Sequence, residues 1–164
     1  MKDKELYLLL DTSFLINLVS ETALFHERAY EFFNSFMTRH YGMAVSTVAI
    51  SEYAIKDDVN HLPLAMLQII PFNFGHAVKS GAFGNQVASC RKQEPNTSRA
   101  IVLSDSKMFA QAELEKIDYV VSADSKAQKT YQWLKNANLA HFEYLDITQT
   151  AVNDFFGELP FPVE

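Results

Sequence analysis

The sequence predicts an α/β protein: a three-layer α/β/α sandwich around a central, mainly parallel sheet. Three observations lead there. Short, continuously apolar stretches such as YLLL and YVVS have the character of strands buried on both faces. They alternate with longer stretches whose apolar residues recur at helical spacing, the order expected of parallel strands joined by helices. Nearly half of the 164 residues are hydrophobic (48%), enough for the core of one domain of this length.

The elements follow in order. In LYLLLDTSFLIN, residues 6–17, an apolar run stops on Asp11 and is followed by Thr12, Ser13 and a helix-like return of Phe14, Leu15 and Leu18. A strand and a short helix are expected, with Asp11 at the strand's carboxyl end, where it can cap the helix or hold a ligand. Residues 21–40 set Leu24, Ala29, Phe32, Phe33 and Phe36 at amphipathic spacing. GMAVS, residues 42–46, reads as a second strand. TVAISEYAIKDD then reads as a helix that carries Glu52 and turns Val48, Ile50, Ala54 and Ile55 partly inward. LPLAMLQIIPFNF is broken by Pro63 and Pro71, which suggests a turn or short helix before a strand near residues 67–72.

Residues 75–92 are helical in pattern although weakened by Gly81 and Gly84, and RKQEPNTSR is a polar loop too short to link domains. Beyond it come a helix with Met108, Phe109, Ala112 and Leu114, a strand at 119–121, and a helix with Ala127, Tyr131 and Leu134. HFEYLDI reads as a last strand. One domain is expected over residues 1–150, with 151–164 adding a C-terminal helical turn and an extended end at Pro160 and Pro162.

Composition narrows the chemistry. A formal charge of −6 argues against a simple basic groove for nucleic acid. It leaves open an enzyme that meets phosphate through a divalent cation, because the ion reverses the local sign. The single cysteine, Cys90, excludes an internal disulfide and a multi-thiolate metal site. His26, His40, His61, His76 and His141 lack metal-ligand spacing, and none stands beside a serine or cysteine in a nucleophile motif. The N-terminal apolar stretch is short and ends on an acid, so a soluble, cytoplasmic protein is expected.

Four acids fall at strand ends or early helical turns, positions that converge on one edge of a parallel sheet. Asp11 ends the first strand, Glu52 follows the second within about two helical turns, Asp105 opens the helix before YVVS, and Asp124 follows that strand in SADS. Each also has a local explanation. Asp105 and Asp124 suit helix caps, although neighbouring serines can cap instead, and Glu52 has Lys56 four residues on as an ion-pair partner. If all four share a cleft, their repulsion calls for a cation, and an all-oxygen set suits Mg²⁺ or Mn²⁺. Lys107 and Lys126, close in sequence to two of these acids, are candidates for phosphate contacts.

The stretches LLLDTSFLIN, TVAISEYAI, LSDSKMFAQAEL and DYVVSADSKA, in this order, resemble the PIN-domain ribonucleases, which include the toxins of many bacterial toxin/antitoxin pairs. The likeness spans nearly the whole chain. It implies an α/β/α sandwich and an endoribonuclease dependent on Mg²⁺ or Mn²⁺. It assigns Asp11, Glu52, Asp105 and Asp124 as metal ligands, and these with Ser122 as the catalytic set. RNA is the implied substrate, a small antitoxin-like protein a partner, and a homodimer the expected assembly, the apolar excess agreeing with self-association. A processing nuclease fits the same residues. Ala123 stands where members of the family often carry Arg or Asn, so a substrate contact must come from elsewhere. Two rivals remain: a non-catalytic PIN-like RNA- or protein-binding module, and a phosphoryl-transfer enzyme with an aspartyl intermediate. The latter is disfavoured because Ser13 occupies the place of its second acid.

Overall fold

The computed structural model of the chain describes residues 5–93 and 99–157. Five strands form one all-parallel sheet in the order β3-β2-β1-β4-β5. These are β1 (Tyr7–Leu10), β2 (Gly42–Ser46), β3 (Gln68–Ile70), β4 (Tyr119–Ser122) and β5 (Glu143–Asp146). The seven helices seen among the described residues are α1 (Thr12–Val19), α2 (His26–Thr38), α3 (Thr47–Ala54), α4 (Phe74–Arg91), α5 (Arg99–Leu114), α6 (Ala127–Asn136) and α7 (Val152–Phe156). The fold is therefore the α/β/α sandwich expected from the sequence.

The central strand explains its own composition. Leu8, Leu9 and Leu10 have no exposed surface, because β1 is covered by a helical layer on each face. Leu8 and Leu10 point into a cluster with Phe14, Leu15, Phe32 and Phe36 from α1 and α2. Leu9 points the other way, toward Phe83, Phe109 and Leu134 from α4, α5 and α6. The strand order reverses between β1 and β4, and the crevice at the carboxyl ends of such a pair is where sheets of this kind hold ligands.

Several expectations are corrected. Leu24 lies before α2 and is 87% exposed, so it is no part of that helix's apolar stripe. In α3 the buried residues are Ala49 and Tyr53, while Ala54 and Ile55 face solvent at the helix end. The phase of a two-turn helix is set by what it docks on, and here Tyr53 is the anchor, with its hydroxyl bonded to Asp57 at 3.0 Å. The 67–72 strand shortens to β3, preceded by two single 3₁₀ turns at Val59–His61 and Leu64–Met66. The largest difference concerns α5, which begins at Arg99, so Asp105 lies inside the helix and cannot cap its start. Residues 94–98 of the expected polar loop, and Pro160 and Pro162 of the expected extended end, lie outside the described residues.

Candidate active site

At the switch point, Asp11 caps the helix that follows it and also lines a cleft. Its Oδ1 accepts from the Phe14 amide at 2.8 Å and from Ser13 Oγ at 2.7 Å, which caps α1. The same carboxylate lines an open cleft of about 380 Å³ together with Glu52, Asp105 and Asp124. Burial pushes the Asp11 carboxyl up to about 6; bonds from Ser122, Phe14 and Ser13 oppose this and the charge of Asp124 adds to it.

Each of the other acids arrives from a different element. Asp105 projects from α5 and is 8% exposed, with Oδ2 buried and without a hydrogen-bond partner. Burial, then the charges of Asp124 and Asp11, push its carboxyl up to about 7, opposed by a bond from Thr130 and aided slightly by Glu52. Asp124 sits in the turn between β4 and α6, where its Oδ1 accepts from the Lys126 amide at 2.8 Å. Its main-chain carbonyl accepts from Tyr144 Oη at 2.6 Å, a bond that ties this turn to β5. Glu52, on α3, has both oxygens engaged: Thr12 Oγ1 donates to Oε2 at 2.5 Å, and Ser104 Oγ donates to Oε1. Those two hydroxyls link α1, α3 and α5 through one carboxylate.

Ser122 ends β4 with no exposed surface, close enough to Asp11 to oppose the rise of its carboxyl. Its Oγ stands 3.1 Å from Ser13 Oγ and accepts from the Asp124 amide at 3.0 Å. Ser13 Oγ in turn accepts from the Ala123 amide at 2.9 Å, so a hydroxyl pair staples the start of α1 to the turn after β4. Sequence reading did not find Ser104 or Thr12 as partners of Glu52, nor Tyr144 as a partner of Asp124. The serine beside Asp105 was noticed as an alternative cap, but its hydroxyl reaches another helix instead.

Lys107 and Lys126, the candidates for flanking phosphates, lie outside the cleft lining, whereas Lys56 is part of it. Asp146, beside Ser122 in the β4–β5 register, is 4% exposed. Its Oδ1 accepts from the Thr148 amide and hydroxyl, its Oδ2 has no partner, and it is not part of the cleft wall.

The donor set suits a hard divalent cation in chemistry, being all oxygen, and the unpartnered Asp105 Oδ2 and the mutual repulsion of three carboxylates supply the need for positive charge. A closed cage is not preformed: among the described residues no group of three or more His, Cys, Asp or Glu side chains is arranged to hold an ion.

No protein-family model matches the sequence, and no curated protein matches it. Solved structures do match. A chain of VapBC2 from Rickettsia felis, bound to a DNA fragment from its promoter, aligns with TM-score 0.55 and 14% identity over 86% of this chain and 98% of that one. DNA-bound VapBC from Salmonella typhimurium aligns with TM-score 0.54 and 18% identity over 87% and 98%. Mycobacterium tuberculosis VapC20, described as a Sarcin-Ricin loop cleaving toxin, aligns with TM-score 0.52 and 13% identity over 74% and 93%. The chain has a PIN-like fold. At these identities the likeness concerns the fold, and in that respect the resemblance read from the sequence is borne out.

Proposed function

We propose that this chain is an endoribonuclease dependent on Mg²⁺ or Mn²⁺, the toxin of a toxin/antitoxin pair with a small protein partner. The observation that carries the reading is the convergence of Asp11, Glu52, Asp105 and Asp124 on one cleft at the switch point of a PIN-like sheet. The matched VapBC complexes and the Sarcin-Ricin loop cleaving toxin VapC20 support it by fold. A homodimer in the cytoplasm belongs to the same proposal, and no described helix is long and apolar enough to cross a membrane.

Asp11, Asp105 and Asp124 would hold the cation, with Asp105 Oδ2 the acceptor that has no other partner. When bound, a divalent ion supplies charge neutralisation at the phosphate and eases ionisation of water at the site. The chain's own residues set direction. Ser13, backed by Ser122, fixes the Asp11 carboxylate, Tyr144 holds the turn that presents Asp124, and Thr12 and Ser104 lock Glu52 facing the cleft, where it orients water for in-line attack at phosphorus.

The test is incubation of the purified chain with mixed RNAs, with and without Mg²⁺ or Mn²⁺, beside Asp11→Asn and Asp105→Asn. Metal-dependent cleavage lost in both folded variants is the expected result. Absence of cleavage and of metal affinity in every form would leave a binding module with this fold.

A further inference from the structure

We infer that the lip formed by Ile55 and Lys56 at the end of α3 is the contact for the incoming nucleic-acid strand, with the Lys56 ammonium on a backbone phosphate and Ile55 against a sugar or base. The inference rests on the reading of the cleft as a nuclease site and adds the part of that site which receives substrate.

The first observation is position. Lys56 and Ile55 line the same cleft as the four carboxylates, and among the described residues Lys56 is the only lysine or arginine in that lining. A polyanion approaching such a cleft meets repulsion, and a cation on the rim lowers that barrier and fixes the strand's register. The chain carries Ala123 in the turn beside Asp124, so no cationic or amide side chain stands between Ser122 and Asp124.

The second observation is that Lys56 has no ion-pair partner among the described residues. Glu52 lies four residues before it, the spacing of a helical ion pair, yet both Glu52 oxygens are engaged by Thr12 and Ser104. Asp57 accepts from Tyr53 Oη at 3.0 Å and the Asp58 amide at 2.8 Å, and pairs with His61 at 3.1 Å. Asp58 accepts from the Asn60 amide at 2.9 Å and from Asn60 Nδ2 at 2.8 Å. Among the described residues the Lys56 ammonium makes no ion pair, although three carboxylates lie within four residues of it.

The third observation is the neighbour. Ile55 is 85% exposed on the cleft wall, in a turn whose backbone is held by bonds from the Lys56 and Asp57 amides to the Tyr53 carbonyl at 2.8 and 3.0 Å. Tyr53 itself is 2% exposed, so the lip is anchored rather than loose. An anchored apolar side chain next to a free ammonium matches the alternation of base or sugar and phosphate along a single strand.

The test uses the full chain, with fluorescein-labelled single-stranded RNA as the probe and anisotropy recorded in Ca²⁺ to hold turnover down. Lys56→Gln is expected to bind about three- to five-fold more weakly, and to reduce the slope of log affinity against log salt by about 0.7. Ile55→Ser weakens binding with the slope unchanged. In Mn²⁺, Lys56→Gln raises KM for RNA with kcat nearly unchanged, and Mn²⁺ affinity by calorimetry stays that of the parent. Parental RNA affinity and salt slope in Lys56→Gln overturn the inference, and so does a gain in Mn²⁺ affinity, which would make Lys56 an internal counter-ion for the acids. RNA binding that depends on Lys56 without cleavage by any form defeats the nuclease reading and leaves the lip standing. Cleavage with indistinguishable variants does the reverse, and a parent chain that neither binds nor cleaves RNA defeats both.

Discussion

Replacing Asp105 by Asn should stabilise the metal-free protein, and the gain should appear only as pH rises. The Asp105 carboxyl is pushed from 3.8 to about 7, chiefly by burial and then by the charges of Asp124 and Asp11. Below pH 3.8 the side chain is protonated in folded and unfolded chains alike, so it contributes no pH-dependent penalty. Between that pH and about 7 the unfolded chain releases the proton while the folded one keeps it, which favours unfolding progressively. At 1.36 kcal/mol per pKa unit the full penalty above pH 7 is about 4 kcal/mol. Water and neighbouring groups rearrange around the ionised carboxylate, so about half of this, ~2 kcal/mol, is the expected gain for Asn at pH 8, or about 4–8 °C in Tm for a chain of this size. Asn has nearly the same shape and carries no carboxylate charge to keep buried at high pH. The assay is thermal melting in EDTA from pH 4 to pH 8, repeated in Mn²⁺. Saturating Mn²⁺ at about a hundred times its Kd adds about 2.7 kcal/mol to the parent, and should reverse the order of the two proteins. A variant less stable than the parent at pH 8 in EDTA, by a margin independent of pH, would refute the reasoning.

Three further outcomes follow from the contacts. Ser104→Ala removes one of the two hydroxyls on Glu52 and should cost about 1 kcal/mol; a double-mutant cycle with Glu52→Gln should show coupling, and strict additivity would count against the clamp. Tyr144→Phe removes the bond to the Asp124 carbonyl, so denaturant melts should show a loss of about 1 kcal/mol, and calorimetry should show weaker Mn²⁺ binding as the turn relaxes. Phe156→Ala takes away a ring packed 5.9 Å from Phe36 and 6.2 Å from Phe32, beneath Arg39 at 4.5 Å. It should destabilise by about 2 kcal/mol in urea unfolding, with RNA affinity unchanged, because α7 is not part of the cleft wall.

Some of this was legible in the chain and some was not. YLLL and YVVS announced strands buried on two faces, since only a helical layer on each side makes continuous apolar residues favourable. Asp11, placed at a strand end by the break in that run, is where expected, as cap and cleft residue together. Asp105 was placed at a helix start because SDSK has the composition of one, yet α5 starts at Arg99 and carries it inside. Local sequence cannot show that a good capping stretch has been absorbed into a longer helix by packing. The expectation for α3 held for Val48 and Ile50, which are half-buried, and failed at its end for a related reason, since two turns offer too few apolar positions to tell Ala49 and Tyr53 from Ala54 and Ile55 before the docking surface is known.

By itself, the order of residues determined the alternation of strands and helices, the parallel sheet and the acids that stand near its carboxyl edge. These depend on burial pattern and backbone preference, which neighbouring residues largely set. Tertiary structure alone decided that Thr12 and Ser104, 40 and 52 residues from Glu52, occupy its carboxylate, and that Lys56 lines the cleft with no ion pair among the described residues. Such pairings depend on how separate elements dock in three dimensions, and no spacing along the chain encodes that.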